Sequence, residues 1–161
     1  MAEILKVGMA DLKVCKAPDA LTTLGLGSCV GIALWDTASG LGGLAHIMLP
    51  DSTKIKNNSN IFKFADSAID EMIRLMVSKG ASRDRIKAKI AGGASMFAFQ
   101  SQNEAMQVGK MNVDAVKEKL QKEGIPLIAE DTGGSRGRTI VFHPQTGKIA
   151  IHVVDRPDYD I

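Results

Sequence analysis

The sequence is short of the residues that would make a disulfide scaffold, a zinc protein or a charged binding surface. It has two cysteines, Cys15 and Cys29, in 161 residues. That is too few for a disulfide framework, so both thiols are expected to be reduced. Neither CxxC nor HExxH spacing occurs, and His46, His143 and His152 stand far apart with no i, i+4 pair. A metal needs converging ligands, so neither a metal nor another cofactor is expected. No charge sign dominates: 20 Lys and Arg against 18 Asp and Glu leave a formal charge of +2, and the basic residues are scattered. The electrostatic reason for proposing nucleic acid or a membrane surface as partner is therefore missing. Long apolar runs are missing too, because every candidate is interrupted by Gly, Ser or Thr. "MAEILKVGMADLKV" lacks the basic flank and apolar stretch of a signal peptide. A soluble, cytoplasmic protein without membrane insertion is the expectation. Neither a low-complexity linker nor a fixed-period repeat divides the chain.

What is present suits one domain. With 45% hydrophobic residues over 161 positions, the chain can build one real core, whereas two halves would each be near the lower size limit. Short β-like segments alternate with two segments of helical period, an α+β or mixed pattern. Residues 6–16 read as extended, with poor alternation. "CVGIALW" (29–35) and "LGGLAHIML" (41–49) flank "DTASG" and predict a β-hairpin. Residues 51–60 are polar and follow Pro50, as a surface loop would. Between 61 and 79, Ala65, Ala68, Ile69, Met72, Leu75 and Met76 share one face, and Gly80 sits where a helix stops. A strand over 85–91 runs into Gly92 and Gly93. A second helix is expected with Asn112 as N-cap, Val113, Val116 and Leu120 inward and Gly124 as stop. A strand over 125–131 ends at Gly133 and Gly134, and 138–143 with 148–154 flank "PQTG" as a second hairpin. The stretches "AGGASMF" and "AEDTGG" make plausible walls of one cleft.

Cys29, in "TLGLGSCVGIALW", carries the question of function. A dinucleotide loop needs a third glycine where Val30 stands, and no phosphate-binding lysine follows. A phosphatase-type loop needs an arginine where Trp35 lies. A buried structural thiol is the bland alternative, and it is the reading for Cys15. The nucleophile reading depends on the hairpin. A turn pairing Trp35 with Gly40 would put Cys29 directly opposite His46, and a loop over 37–40 would make them diagonal neighbours on one face. A five-residue loop would separate them onto opposite faces. If paired, an adjacent imidazolium would draw the thiol below its free pKa of about 8.5. Thr22 and Thr23 lie near enough to fold back on the pair, and "GLGSC" offers N–H groups for an oxyanion.

Six blocks then occur in order: "TLGLGSCVGIALWD", "AHIMLPDS", "FKFADSAIDEM", "KAKIAGGASMF", "GKMNVDAVKEKL" and "LIAEDTGG" with "GRTIVF". From about Lys6 to about Val154 the chain resembles the chemoreceptor glutamine deamidases called CheD. The resemblance implies an α+β fold: one domain over 1–161, a mixed β-sheet sandwich with flanking helices, like cysteine-dependent deamidating toxins. It implies a cysteine nucleophile at Cys29, a histidine at His46 and a third catalytic residue at Thr23; the glycine-rich loop itself suggests the backbone near Gly27 and Ser28 as the holder of an oxyanion. Its substrates would be methyl-accepting chemotaxis receptors and its partner a CheC-type phosphatase, with a purely regulatory, non-catalytic binding role as the alternative. Phe64 stands where the family often has tyrosine, and the tail 155–161 matches nothing in the pattern.

Overall fold

The computed structural model describes residues 2–95 and 107–161. Its strands are β1 (Ile4–Lys6), β2 (Asp11–Lys16), β3 (Ala20–Leu26), β4 (Val30–Asp36), β5 (Leu41–Ile47), β6 (Lys87–Gly92), β7 (Leu127–Thr132), β8 (Arg138–His143), β9 (Lys148–His152) and β10 (Tyr159–Asp160). The helices are α1 (Ala65–Ser78) and α2 (Val108–Lys122). The strands form two mixed sheets, β1-β3-β8-β9-β10 and β2-β5-β4-β6-β7.

The second sheet is the middle layer, and its alternation shows why. Every residue of β4 and β5 is buried, as expected of strands covered on both faces. Val30, Ile32 and Leu34 join α1 and α2 in one apolar cluster. Their neighbours Ala33 and Trp35 belong to another, shared with Leu21, Leu26, Ile140, Phe142, Ile149 and Ile151 of the first sheet. In α1, Ile69, Met72 and Met76 are fully buried, each contributing about 1.5–3 kcal/mol of apolar burial. The architecture is therefore α+β, helices on sheet on sheet.

Several boundaries differ from the periodicity. The first helix begins at Ala65 rather than near 61, because Met48 N–H and Leu49 N–H both donate to Lys63 O, and Leu49 bridges Phe64. Those bonds hold Phe64 extended, and its side chain is fully buried, so a tyrosine at this position would be packed in the core. The second helix starts at Val108, four residues before the expected cap. β3 lies where no element was expected, since its glycines and threonines give no clear apolar alternation. The tail also has a place: β10 pairs with β9, and Ile161 exchanges two backbone bonds with Ile149.

One carboxylate fastens the middle sheet at the end remote from the cysteine loop. Buried Asp36 accepts Arg85 Nε and Nη2, each at 2.9 Å, Ser82 N–H at 2.9 Å and the Ser39 hydroxyl at 3.0 Å. The Arg85 guanidinium above all holds its pKa down at about 2.

Candidate functional site

The hairpin register decides whether Cys29 and His46 can meet. Asp36 pairs with Leu41 and Gly31 with His46. The loop is therefore 37–40, and Cys29, two residues before Gly31, is a diagonal neighbour of His46 on the face toward the first sheet. Cys29 packs at the edge of the apolar cluster between the sheets and is half-buried, whereas His46 is 1% exposed. From the opposite sheet β3 contributes Thr23, fully buried. Thr22 points elsewhere, its hydroxyl donating to Ile140 O at 2.7 Å.

The bonds of Thr23 fix the state of the imidazole. Its Oγ1 lies 2.8 Å from Val7 O and 2.7 Å from His46 Nδ1. A carbonyl oxygen only accepts, so the hydroxyl proton goes to Val7, and Oγ1 must then accept from Nδ1–H. Nε2 is left with the lone pair. It is buried and has no hydrogen-bond partner among the described residues, an open acceptor that costs about 1–3 kcal/mol and is available as a base. Burial pushes the His46 pKa below its usual 6.5. Burial likewise pushes Cys29 up, with its own backbone N–H opposing. The sequence suggested a thiol drawn down by imidazolium. In the structure desolvation disfavours both charged forms, raising the thiol's pKa and lowering the imidazole's.

The loop carrying the cysteine is held by its carbonyls. Gly27 O accepts Ala94 N–H at 2.8 Å, Cys29 O accepts Gly93 N–H at 2.8 Å, and Ser28 O accepts Asn112 Nδ2 at 2.9 Å. Close backbone approach makes this feasible: Gly92 sits at φ +112°, and a Cβ there would lie 2.3 Å from Cys29 O. Gly27 N–H is used within the turn, donating to Gly25 O at 2.9 Å. Among the described residues no backbone bond engages the N–H groups of Ser28 or Cys29. All three carbonyls are thus tied down, while the Cys29 N–H lies against its own thiol.

The glycine loops do adjoin one another, with Gly133 N–H on Gly92 O at 3.0 Å and Ser95 N–H on Gly134 O at 2.9 Å. Positions 96–97 of "AGGASMF" lie outside the described residues. Arg138, from β8, spans the two sheets there, bonding Asp131 at 3.0 Å and Gly133 O at 2.9 Å. Asn112 was read as a helix cap and is instead the fifth residue of α2, fully buried. Only its burial on a helix's inward face, beside Val113 and Val116, could have signalled another role. Among the described residues no three His, Cys, Asp or Glu side chains converge as a metal ion would require. Nor is any described helix long and apolar enough to cross a membrane.

A half-buried thiol, an imidazole held at Nδ1 by Thr23 and the glycine-rich loop that carries the thiol gather on one face between the sheets and make up the candidate site. Residues 48–153 match the family model described as CheD chemotactic sensory transduction, and the chain belongs to the CheD family. A relative from Lachnoclostridium phytofermentans, named a probable chemoreceptor glutamine deamidase CheD, is 56% identical over 161 residues, covering 100% of both chains. One of the same name from Caldanaerobacter subterraneus subsp. tengcongensis is 51% identical, covering 95% of this chain and 94% of its own. Another, from Clostridium botulinum, is 53% identical, covering 93% of each. The family match begins beyond Cys29 and His46, whereas the first of these relatives spans the whole site. Among solved structures, a Neisseria meningitidis protein of the DUF152 family superposes with a TM-score of 0.52 at 11% identity, over 82% of this chain and 64% of its own. That likeness concerns the fold alone.

Proposed function

We propose that this protein hydrolyses the side-chain amides of selected glutamines in methyl-accepting chemotaxis receptors, giving glutamate and ammonia. The observation that carries the chemistry is the Thr23–His46 bond of 2.7 Å, which presents an unpartnered Nε2 on the face that Cys29 shares. The names of the full-length relatives supply the substrate class.

Nε2 of His46 takes the Cys29 proton as sulfur attacks the amide carbon. The C–S bond forms, and the carbonyl electrons move onto oxygen, held by Ser28 and Cys29 N–H. The oxyanion collapses, the C–N bond breaks, and His46 returns its proton to the leaving nitrogen, releasing ammonia. Water, deprotonated by the same nitrogen, then adds to the thioester. A C–O bond replaces the C–S bond, and Cys29 regains a proton. Thr23 holds the ring and its tautomer throughout. Neutral resting charges suit this cycle, since charge separates only as the bond to substrate forms. We place the activity in the cytoplasm, where receptor signalling segments lie, with a CheC-type phosphatase as the regulatory partner that family membership suggests.

The test is mass spectrometry of a purified receptor cytoplasmic fragment incubated with wild type or Cys29→Ala. Glutamine sites gaining the one-dalton mass of glutamate are expected with wild type alone. Equal conversion by both proteins, or none by either on a receptor from the same cell, would overturn the reading.

A further inference from the structure

We propose that Asn112 is a positioning residue of the site: its carboxamide ties the nucleophile loop to the strand that carries the histidine. Nδ2 donates to Ser28 O at 2.9 Å and to Met48 O at 3.0 Å. One acceptor immediately precedes Cys29 and the other lies two residues beyond His46. A single NH2 group thus joins the ends of β4 and β5 at the point where their own ladder stops with Val30 and Ile47. Both acceptors are carbonyls, so the orientation of the amide follows from the bonding.

Three features separate this tether from ordinary core packing. Asn112 is fully buried in a helix whose other inward positions here, Val113 and Val116, are apolar, so an aliphatic residue would have fitted the pattern. Its Oδ1 has no hydrogen-bond partner among the described residues; the site accepts one unpaired buried acceptor to gain two donors. And α2 is brought close enough for this short side chain to reach. A Cβ on Gly109 would stand 2.4 Å from Ala94 O, and one on Gly93 would stand 2.2 Å from Val113 Cγ2. The same helix turn therefore packs on the 93–94 backbone, which itself binds the carbonyls of Gly27 and Cys29. Asn112 completes the set by holding the Ser28 carbonyl, and so fixes the backbone that carries the Cys29 thiol relative to the strand that carries His46.

The consequence rests on the proposed deamidation only for its turnover readout. Asn112→Leu keeps the branched shape and the number of heavy atoms, at somewhat larger volume, and removes both donors. Misplacing reacting groups by an ångström costs up to about a hundredfold. On the receptor fragment kcat is therefore expected to fall about 10- to 100-fold while KM stays within about threefold. The alkylation rate of Cys29 by iodoacetamide at pH 7 should fall as well. Val116→Ala, lower on the same helix face, serves as the control: it lowers thermal stability but leaves both readouts at wild-type values. Asn112→Ser, with one hydroxyl donor, covers the case in which the leucine variant does not fold, and an intermediate loss is expected. Wild-type kcat and alkylation in a folded Asn112 variant, or losses no larger than those of Val116→Ala, would overturn the tether. Alkylation needs no receptor, so a wild type that fails to deamidate would remove the functional reading while the thiol measurement still decided the role of Asn112.

Discussion

The two cysteines occupy opposite ends of one layer. Cys15 in β2 and Cys29 before β4 both pack between the sheets, and burial raises the pKa of both. At the closed end, Cys15 is 7% exposed, weakly bonds Asp19 O at 3.6 Å, and is pushed to about 11 by burial and the nearby Asp19 charge. At the open end, Cys29 is half-buried, sees its own N–H, and shares a face with an imidazole whose Nε2 has no partner among the described residues. Desolvation alone makes a thiol inert. The neighbouring base and the opening to solvent make the same side chain usable.

The comparison breaks most completely at the open end. Cys29→Ala should lower deamidation by about 10⁴-fold or more, and His46→Ala by about 10²- to 10⁴-fold. Cys15→Ala should leave turnover unchanged in the same mass-spectrometric assay. Thr23→Val should cost about 10- to 100-fold in kcat, because Nδ1 loses its acceptor and the ring its fixed orientation. Thr23→Ser, which keeps the oxygen, should retain most activity.

A pH profile sharpens the same contrast. In the proposed cycle His46 acts as a neutral base, and burial holds its pKa below the usual 6.5. Activity should hold as pH falls to about 6.5 and decline only below it. An acid limb centred above pH 6.5 would contradict the buried, neutral imidazole. Iodoacetamide at neutral pH should modify Cys29 more than about tenfold faster than Cys15, with the difference shrinking in His46→Ala.

The smallest expected effect on catalysis lies at Asp36, the staple at the other end of β4. Its folded pKa of about 2 lies below the ordinary 3.8. The stabilisation is therefore full above pH 4 and lost as pH falls toward 2, and it amounts to roughly 2 kcal/mol. Asp36→Asn should lower stability by about that amount in denaturant titration at pH 7, while its folded fraction turns over at close to the wild-type rate. Only at about pH 2 and below should the two proteins converge.

Much of this was legible in the residues. Period-2 alternation located the hairpin, a 3.6-residue period located both helices, and Gly80 and Gly124 lie just beyond the two helix ends, both at positive φ. These signals are local, since each follows from how one segment hides its apolar side chains. The ordered motifs around Cys29, His46 and Thr23 pointed to the family. β3 escaped notice because a strand rich in threonine and glycine is stabilised by its partners β1 and β8 rather than by its own pattern. Asn112 was misread for a related reason: asparagine before an apolar run suits a cap, and nothing local reveals two distant carbonyls waiting for its amide.

The sequence by itself determined most element types, the inward faces and the supply of a thiol, an imidazole and a hydroxyl. Only the tertiary structure decided which of the hairpin registers was realised. It alone placed Thr23 across the interlayer against Nδ1, gave Cys29 its solvent edge and Cys15 its closed one, and brought Asn112 within 3.0 Å of both strand ends. Propensity acts over a few neighbours, whereas tautomer, desolvation and the reach of a single amide depend on groups far apart in the chain that packing alone brings together.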